Sequence, residues 1–208
     1  MATTTDDIVA VGGTLEPRAV LEAYRRGVFP WPCEGLPLLW FCPRQRAVLD
    51  FARLHIGRSL GRARRQSGLQ FTIDAAFGQV IRACATAPRA DQEGTWITPE
   101  VIACYEELHR LGHAHSAEAW QGDELVGGIY GIDAGGAFSG ESMFHRRANA
   151  SKLALLHLVE HLATNGADWI DVQVMTPHVE RLGARLIPRR MFLARLGEAL
   201  RGGSRLFA

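Results

Sequence analysis

The stretch from residue 137 to 174 constrains the fold more than any other part of this chain. Residues 138–144 form an apolar-rich run interrupted by one carboxylate, Glu141, which predicts a β-strand. A helix with a leucine-rich apolar stripe follows and ends at Gly166. Residues 169–174 are short, apolar-rich and β-prone. A strand, a crossover helix and a second strand form a right-handed unit, so we predict that the two strands are parallel.

Polar side chains alternate with large apolar ones on the second of these strands. Asp171 and Gln173 are two positions apart, so they face the same side of the sheet. Glu141 on the partner strand can face the same cleft. Each of these residues alone would be read as structural or solvated, but together in one strand–helix–strand unit they predict a functional site.

The remaining elements, read in order, predict the fold class. We expect first a strand at 8–11, a helix from 16–17 to Gly27, a strand at 46–56, a basic helix and a strand at 69–74. Next come a helix capped by Asp74, a loop at 86–94, a helix opened by Thr98-Pro99-Glu100 and a hairpin of 113–121 with 124–132. The 137–174 unit, whose helix Asn149 or Ser151 can cap, is followed by a helix at 176–182, a strand at 185–188 and a last helix at 191–200. From the two helices before the hairpin onward, this is the order of an acyltransferase fold of the N-acetyltransferase type. We therefore predict an α/β (α+β) protein with a mixed central sheet, divided into a small N-terminal domain, 1–50, and a catalytic domain, 51–208.

Length and composition are compatible with this fold. The 208 residues suit one large domain or a medium one with an appendage, and 47% hydrophobic residues are ample for a packed core. No apolar run of about 18 residues predicts a membrane span, and the acidic start lacks a secretory pattern. The four cysteines lack CxxC spacing, so in a cytoplasmic chain we expect them to be reduced packing residues.

The formal charge of +1 hides an uneven distribution of arginine. Four arginines crowd one short helical stretch: Arg58, Arg62, Arg64 and Arg65. A solvated helix face explains such a run. Contacts to a phosphate backbone are the alternative explanation, because the planar arginine fork pairs with phosphate. The sequence leaves both interpretations open.

Two further motifs bear on metal and cofactor chemistry. The run from His157 to His161 matches the inverted zinc-protease pattern, but a third ligand and a metal cavity are also required, so we predict no metal. N-acetyltransferases cradle the coenzyme A pyrophosphate on a glycine-rich turn at the start of the crossover helix. The corresponding turn here, 145–152, contains no glycine. We therefore predict acyl transfer without coenzyme A, and no other cofactor.

A family resemblance then becomes specific. Matching runs extend in order over nearly the whole chain: AYRRGVFPW, GTWIT, LGHAHSAEAW, DELVGGIYG, FSGESMF, NASKLALLHL, IDVQV and LGARLIPRRMFL. In these runs the chain resembles the leucyl/phenylalanyl-tRNA–protein transferases. Its N-terminus is short relative to that family, and Phe41, Cys42 and Arg44 replace the more usual Trp, Ser and Asp. These departures touch the N-terminal loop and leave the expected reaction centre intact.

The resemblance implies a reaction and its partners. Leu or Phe, and less well Met, would move from charged tRNA onto the N-terminal Arg or Lys of an acceptor protein, marking it for N-end-rule degradation. The enzyme would act as a cytoplasmic monomer with no membrane contact. Trp31 and Trp96 would hold the terminal adenosine of the tRNA, with Tyr24 nearby. The donor side chain would lie among Ile129, Phe138, Met143, Leu155, Leu158 and Ile170. Family members also carry Met and Phe at the positions of Ile129 and Leu158.

The chemistry of such a transfer suits the polar residues of the central unit. An aminoacyl ester is already activated, and an α-amine with a pKa of about 7.7–8.0 is partly neutral near pH 7. Orientation therefore matters more than strong acid–base catalysis. The Gln173 carbonyl can accept a hydrogen bond from the attacking amine, Asp171 can polarise that amide, and Glu141 can contact the donor or acceptor amine.

Two alternatives stay open at this point. The first is a coenzyme A-dependent N-acetyltransferase, which the glycine-free turn disfavours and which binding of acetyl-CoA would revive. The second is a non-catalytic binder of tRNA or of N-terminal peptides. Such a binder would retain charged tRNA in the presence of a peptide that begins with arginine, without transferring the amino acid.

Overall fold

Two β-sheets of unequal size frame the protein in a computed structural model, which describes residues 5–33, 35–88 and 95–207. The small sheet is antiparallel and has the strand order β1-β3-β2. Its strands are β1 (Ile8–Val11), β2 (Phe29–Trp31) and β3 (Leu39–Phe41).

The large sheet has seven strands in the described part of the chain: β4 (Gln45–Asp50), β5 (Gln70–Ile73), β6 (Ala114–Gln121), β7 (Glu124–Asp133), β8 (Phe138–His145), β9 (Trp169–Gln173) and β10 (Arg185–Pro188). Their order is β10-β4-β9-β8-β7-β6-β5. Every pair is antiparallel except β8 with β9, which is parallel as predicted. The predicted mixed α/β class is therefore confirmed.

Within the described residues, seven α-helices cover the sheets: α1 (Pro17–Arg25), α2 (Arg58–Gln66), α3 (Phe77–Thr86), α4 (Pro99–Arg110), α5 (Ala150–Thr164), α6 (Pro177–Arg181) and α7 (Arg189–Gly202). Short 3-10 turns occupy Thr5–Asp7 and Phe51–Arg53. In the described part of the chain, no helix has the length and apolar character needed to cross a bilayer.

Two main hydrophobic clusters lie on opposite faces of the large sheet. One joins α1, α3 and α4 with the small sheet, and the other surrounds α5. Neighbouring residues of β7 alternate between them, since Ile129 packs in the α5 cluster and Tyr130 in the other. Helix α5 buries apolar side chains around most of its circumference, as expected for a crossover helix packed on a sheet.

The start of α5 lies very close to the sheet. A side chain at Gly127 of β7 would place its Cβ 2.6 Å from the Cβ of Ala150, the first residue of the helix. Only glycine permits this approach. The glycine therefore fixes the first turn of α5 beside the strands that carry the predicted site.

The predicted elements occur in the predicted order, but sequence reasoning missed strands β2 and β3 in a segment interpreted as an aromatic loop, and other local corrections apply. Strand β4 ends at Asp50, where a 3-10 turn begins, so the prediction of a strand to residue 56 was too long. Asp74 does not cap α3; its left-handed backbone directs its carboxylate to the Ser116 N–H instead. Asn149 occupies the N-cap position of α5, but its side chain makes no capping bond.

Two other predictions concern segment boundaries. Strand β4 pairs with β9 and β10, so the large sheet begins at Gln45, before the predicted boundary between 1–50 and 51–208. That domain division stays a prediction. Of the predicted loop at 86–94, residues 89–94 lie outside the described residues, as do residues 1–4 of the N-terminus.

Candidate active site

The centre of the candidate site lies where β8 and β9 part. These parallel strands share one paired register position, Ser139 opposite Asp171. Two residues further along each strand, side chains join them instead: the Gln173 Nε2 donates to Glu141 Oε1 at 2.6 Å. The predicted convergence of Asp171, Gln173 and Glu141 is thus observed in the geometry, while their catalytic roles stay predictions.

The Asp171 carboxylate is buried and fully engaged. The Nε and Nη2 atoms of Arg46 donate to its two oxygens at 2.8 and 2.7 Å. The Ser139 hydroxyl donates to Oδ2 at 2.9 Å, and the backbone N–H of Gln173 donates to Oδ1 at 2.9 Å. Asp171 therefore contacts the backbone of Gln173, whereas sequence reasoning placed it against the side-chain amide.

Arg46 is the central residue that sequence reasoning missed. Its side chain is 1% exposed, and its guanidinium carbon lies 4.6 Å from the ring centre of Phe29 and 4.5 Å from that of Phe192. Two aromatic faces and a bidentate carboxylate compensate its burial. The available signal was an arginine directly before the apolar run 47–49 of the strand, because a buried charge needs a partner.

Gln173 has a backbone conformation that glutamine rarely adopts. Its φ is +59°, in the left-handed region that costs a residue with a Cβ roughly 1–2 kcal/mol. The hydrogen bond from its N–H to Asp171 stabilises this turn at the end of β9. The strained backbone directs the side-chain amide toward Glu141, and strain of this kind often marks functional positions.

Glu141 is partly buried and has an unusual acidity. Its removal from bulk water, followed by the negative charge of Asp171, raises the pKa of its carboxyl to about 8, although hydrogen bonds from Tyr24 and Gln173 and the charge of Arg46 oppose this shift. A pKa near that of an α-amine, about 7.7–8.0, suits a group that exchanges a proton with the attacking nitrogen.

Two tyrosines extend the network behind Glu141. The hydroxyls of Tyr24 and Tyr105 lie 2.7 Å apart in the core. Burial, together with the charge of Glu141, raises the pKa of both phenols well above the usual value, so each keeps its proton. Tyr24 also forms a hydrogen bond with Glu141. This bond connects one of the residues predicted to lie near the adenosine to the centre of the site.

The two tryptophans predicted to hold adenosine stack on each other. Trp31 is the last residue of β2, and Trp96 precedes α4. Their ring centroids lie 5.9 Å apart, and the ring planes are tilted by 25°. Both rings are half-buried and pack against the α1 cluster. An exposed face of such a pair is a surface on which a nucleobase can stack.

The six residues predicted to line the donor pocket belong to one hydrophobic cluster. Met143 is half-buried, and the other five are 5% exposed or less: Ile129, Phe138, Leu155, Leu158 and Ile170. Gly140 lies between two of them, since a Cβ there would be 3.5 Å from Ile170 Cδ1 and 3.8 Å from Ile129 Cδ1. The glycine leaves the space of one small group at this point.

The arginines of α2 face solvent. All four predicted phosphate contacts, Arg58, Arg62, Arg64 and Arg65, are exposed, while Leu60 anchors the helix. Arg64 forms an ion pair with Glu160 of α5. Within the described ranges, the other three make no ion pair, and their spacing of four and three residues places them on one face of the helix.

The histidines singled out as metal-ligand candidates have other contacts. The His157 ring stacks on Phe71, with centroids 5.5 Å apart. A ring nitrogen of His161 lies 2.9 Å from the carbonyl oxygen of Leu206. Across residues 5–33, 35–88 and 95–207, no three His, Cys, Asp or Glu side chains are grouped to hold a metal ion.

The chain is similar to known proteins over most of its length. A family model described as leucyl/phenylalanyl-tRNA protein transferase matches residues 48–197, and the model of that family's N-terminal domain matches 13–44. A leucyl/phenylalanyl-tRNA–protein transferase of Anaeromyxobacter sp. (strain Fw109-5) is 53% identical over 94% of this chain and 83% of its own. The protein of the same name from Chromobacterium violaceum is 49% identical over 93% and 83%.

A solved structure is similar at a lower level. A GCN5-related N-acetyltransferase-like protein from Streptococcus suis has a TM-score of 0.43 and 14% identity, covering 82% of this chain and 63% of that one. A likeness of this size does not bear on activity.

Proposed function

Because this chain belongs to the leucyl/phenylalanyl-tRNA protein transferase family, and is therefore an aminoacyltransferase, we propose that it moves Leu or Phe, and less well Met, from charged tRNA to the N-terminal Arg or Lys of acceptor proteins. The new N-terminus would mark the acceptor for N-end-rule degradation. We place this reaction in the cytoplasm, where charged tRNA is available, and assign it to a monomer without a cofactor.

The observation that supports this proposal most directly is the bridge between Gln173 and Glu141 across the parting strands. An acceptor amine placed at this bridge would meet the Gln173 carbonyl oxygen as a hydrogen-bond acceptor. The neutral amine attacks the ester carbonyl, and a C–N bond forms. The C–O bond to the tRNA 3′ end then breaks, and the proton lost by nitrogen goes to the departing oxygen.

We assign Glu141 the transfer of that proton. Its pKa of about 8 lets it accept a proton from nitrogen and then return it to the ribose oxygen. Asp171 is a positioning residue in this scheme, because its oxygens are occupied by Arg46, Ser139 and the Gln173 N–H. It fixes the strained turn that presents the Gln173 amide.

A transfer assay tests the proposed function. Purified protein is mixed with radiolabelled Leu-tRNA and a peptide that begins with arginine, and label in the peptide is measured. The matched control is the same peptide with an acetylated N-terminus, which has no nucleophilic amine. Labelling of the free peptide alone supports the proposal. Retention of Leu-tRNA without transfer, or calorimetric binding of acetyl-CoA with acetylation of the peptide, would contradict it.

The donor cluster predicts selectivity by shape. Its six residues offer no polar partner, so discrimination depends on how well a side chain fits. Leu and Phe are narrow at Cβ, whereas Ile and Val branch there. We expect the protein to prefer Leu-tRNA over Ile-tRNA by at least about 10-fold, since even one misplaced methylene costs about 1–3 kcal/mol in an apolar pocket.

Two substitutions move this selectivity in opposite directions. Met143→Ala widens the pocket at its flexible wall and should relax the rejection of Ile. Gly140→Ala places a methyl group between Ile129 and Ile170 at ordinary contact distance and should lower the use of Phe-tRNA. The measurement is competition among tRNAs charged with Leu, Phe, Met, Ile and Val. Equal use of Ile-tRNA and Leu-tRNA by the unmodified protein would refute selection by shape.

The exposed face of α2 predicts affinity without base specificity. Charge reversal at Arg62 and Arg65 should weaken binding of charged tRNA and lower the salt slope of the affinity by about 0.7–0.9 for each lost phosphate contact. Arg110→Glu, which reverses an exposed charge on α4, is the control. A slope unchanged by the α2 substitutions would mean that this helix is only a solvated face.

A further inference from the structure

A cavity separate from the candidate active site lies where three helices meet, on the side of the sheet that carries α5. Its volume is about 340 Å³, within the usual range of small-ligand sites. Its walls come from the first turn of α2, the first turn of α5 and from α6. None of the residues described above as the candidate active site lines it.

The lining of this cavity is basic. Lys152, the only lysine of the sequence, and Arg181 line it together with His55 and His178. No aspartate or glutamate is among the described residues that line it. Lys152 makes no ion pair with any described residue. Among the same residues, the Arg181 side chain bonds only to the Pro177 carbonyl oxygen, from Nε at 2.8 Å. Both cations are therefore available to a ligand.

His178 adds an imidazole ring to the wall of this cavity. The Nε2 atom of His178 is inaccessible to solvent and has no hydrogen-bond partner among the described residues. Burial, followed by the charges of Lys152, Arg181 and His145, lowers the pKa of His178, so the ring is neutral near pH 7.

Two helix starts add to the positive potential. Gly57 and Asn149 occupy the N-cap positions of α2 and α5, and neither has a side chain that caps the first turn. Both residues line the cavity. Uncapped N–H groups and the positive ends of two helix dipoles favour an anion, above all a phosphate.

We propose that this cavity binds a phosphate group of the tRNA backbone, next to the exposed arginine face of α2. The first turn of α2 contributes Ser59 and Leu60 to the cavity wall, and Arg58 begins the face that continues with Arg62 and Arg65. A tRNA strand whose backbone contacts these arginines passes the mouth of the cavity. Lys152 and Arg181 pair with the phosphate, and the neutral His178 ring lies beside them in the cavity wall. The inference rests on the proposed function, since tRNA is the source of the phosphate.

The test compares two donors that differ only in phosphate. One is Phe-tRNA, and the other is the phenylalanine ester of adenosine, which has no phosphate. Lys152→Gln and Arg181→Gln should each raise the KM for Phe-tRNA by about 10-fold or more, because each removes a charge-assisted hydrogen bond. Their kcat/KM for the adenosine ester should be unchanged. Lys152→Arg should keep most of the affinity, and Arg110→Gln on α4 is the matched loss of one exposed charge.

Each other outcome overturns the assignment. Equal losses with both donors would mean that the residues only support the fold or the reaction centre, and no loss with Phe-tRNA would mean that the cavity does not contact it. Competition titrations with inorganic phosphate and with coenzyme A distinguish the source of the phosphate. Suppose that either compound binds, competes only weakly with Phe-tRNA, and no longer binds the Lys152→Gln variant. This result would assign the cavity to a free small molecule. Absence of transfer from Phe-tRNA in the unmodified protein would instead contradict the proposed function.

Discussion

Gln173→Ala is expected to lower the rate constant of aminoacyl transfer by roughly 10²–10³-fold, the usual loss when one oriented polar group is removed from a reaction centre. Affinity for charged tRNA should change little, because the stacked tryptophans and the arginine face of α2 lie elsewhere. Single-turnover transfer from Leu-tRNA to a peptide that begins with arginine measures the rate constant. Filter binding of the same tRNA measures the affinity.

The backbone of Gln173 offers a matched control. Because its φ is +59°, Gln173→Gly removes the amide and also relieves the strain, whereas Gln173→Ala retains the strain. The glycine variant should exceed the alanine variant by about 1 kcal/mol in the free energy of unfolding. Both should be equally slow in transfer. Near-normal turnover of either variant would remove the amide from the mechanism.

Asp171→Asn should slow transfer as well, and through a different route. The substitution leaves Arg46 buried with a neutral partner, which typically destabilises a protein by about 3–5 kcal/mol. Its activity must therefore be measured at a temperature where the variant is folded. Replacement of both charges, with Arg46→Met and Asp171→Leu, should recover stability without recovering activity. Recovery of activity would show that the pair is dispensable for placing Gln173.

The central strand–helix–strand unit could be predicted because its signals are local. The period of the apolar residues, the glycine that ends α5 and the alternation on β9 are all contained in residues 137–174. The same alternation predicted that Asp171 and Gln173 would converge with Glu141. Patterns of this kind determine local structure and the direction of side chains, which is sufficient to find a site of this type.

The partners of these residues could not be predicted in the same way. Arg46 pairs with a carboxylate 125 positions away in the chain, and Tyr24 reaches Tyr105 across 81 positions. Such contacts depend on the order of strands in the sheet, and no local period encodes the placement of β4 beside β9. For this reason sequence reasoning assigned Asp171 to the wrong part of Gln173.

The acidity of Glu141 leads to the second large effect. Its pKa in the folded protein is about 8, above the ordinary 4.5, so the folded state binds this proton more tightly than the unfolded state does. The resulting stability is fully present below pH 4.5 and is lost as the pH rises through about 8. Glu141→Gln cannot ionise, so this part of the pH dependence should disappear. Chemical denaturation from about pH 5 to about pH 9 measures it, and the variant should be the more stable protein at the alkaline end.

The same substitution should change the pH profile of the reaction. Transfer in the proposed mechanism needs a neutral acceptor amine, with a pKa of about 7.7–8.0, and an ionised Glu141. Below both values the logarithm of the rate constant should rise with pH with a slope near two in the unmodified protein and near one in Glu141→Gln. The plateau at high pH should fall by roughly 10²–10⁴-fold in the variant, the usual contribution of a proton-transfer group.

Glu118→Gln is the matched control for this profile. Glu118 is a fully buried carboxylate of the same sheet that accepts hydrogen bonds from the hydroxyls of Ser116 and Thr72. It lies on β6, away from the parting strands β8 and β9, so its amide should keep the slope near two. A slope near two in Glu141→Gln would show that a group other than Glu141 accepts the proton. A gain in stability together with the loss of one ionisation from the rate profile would identify Glu141 as a residue retained for catalysis at a cost to the fold.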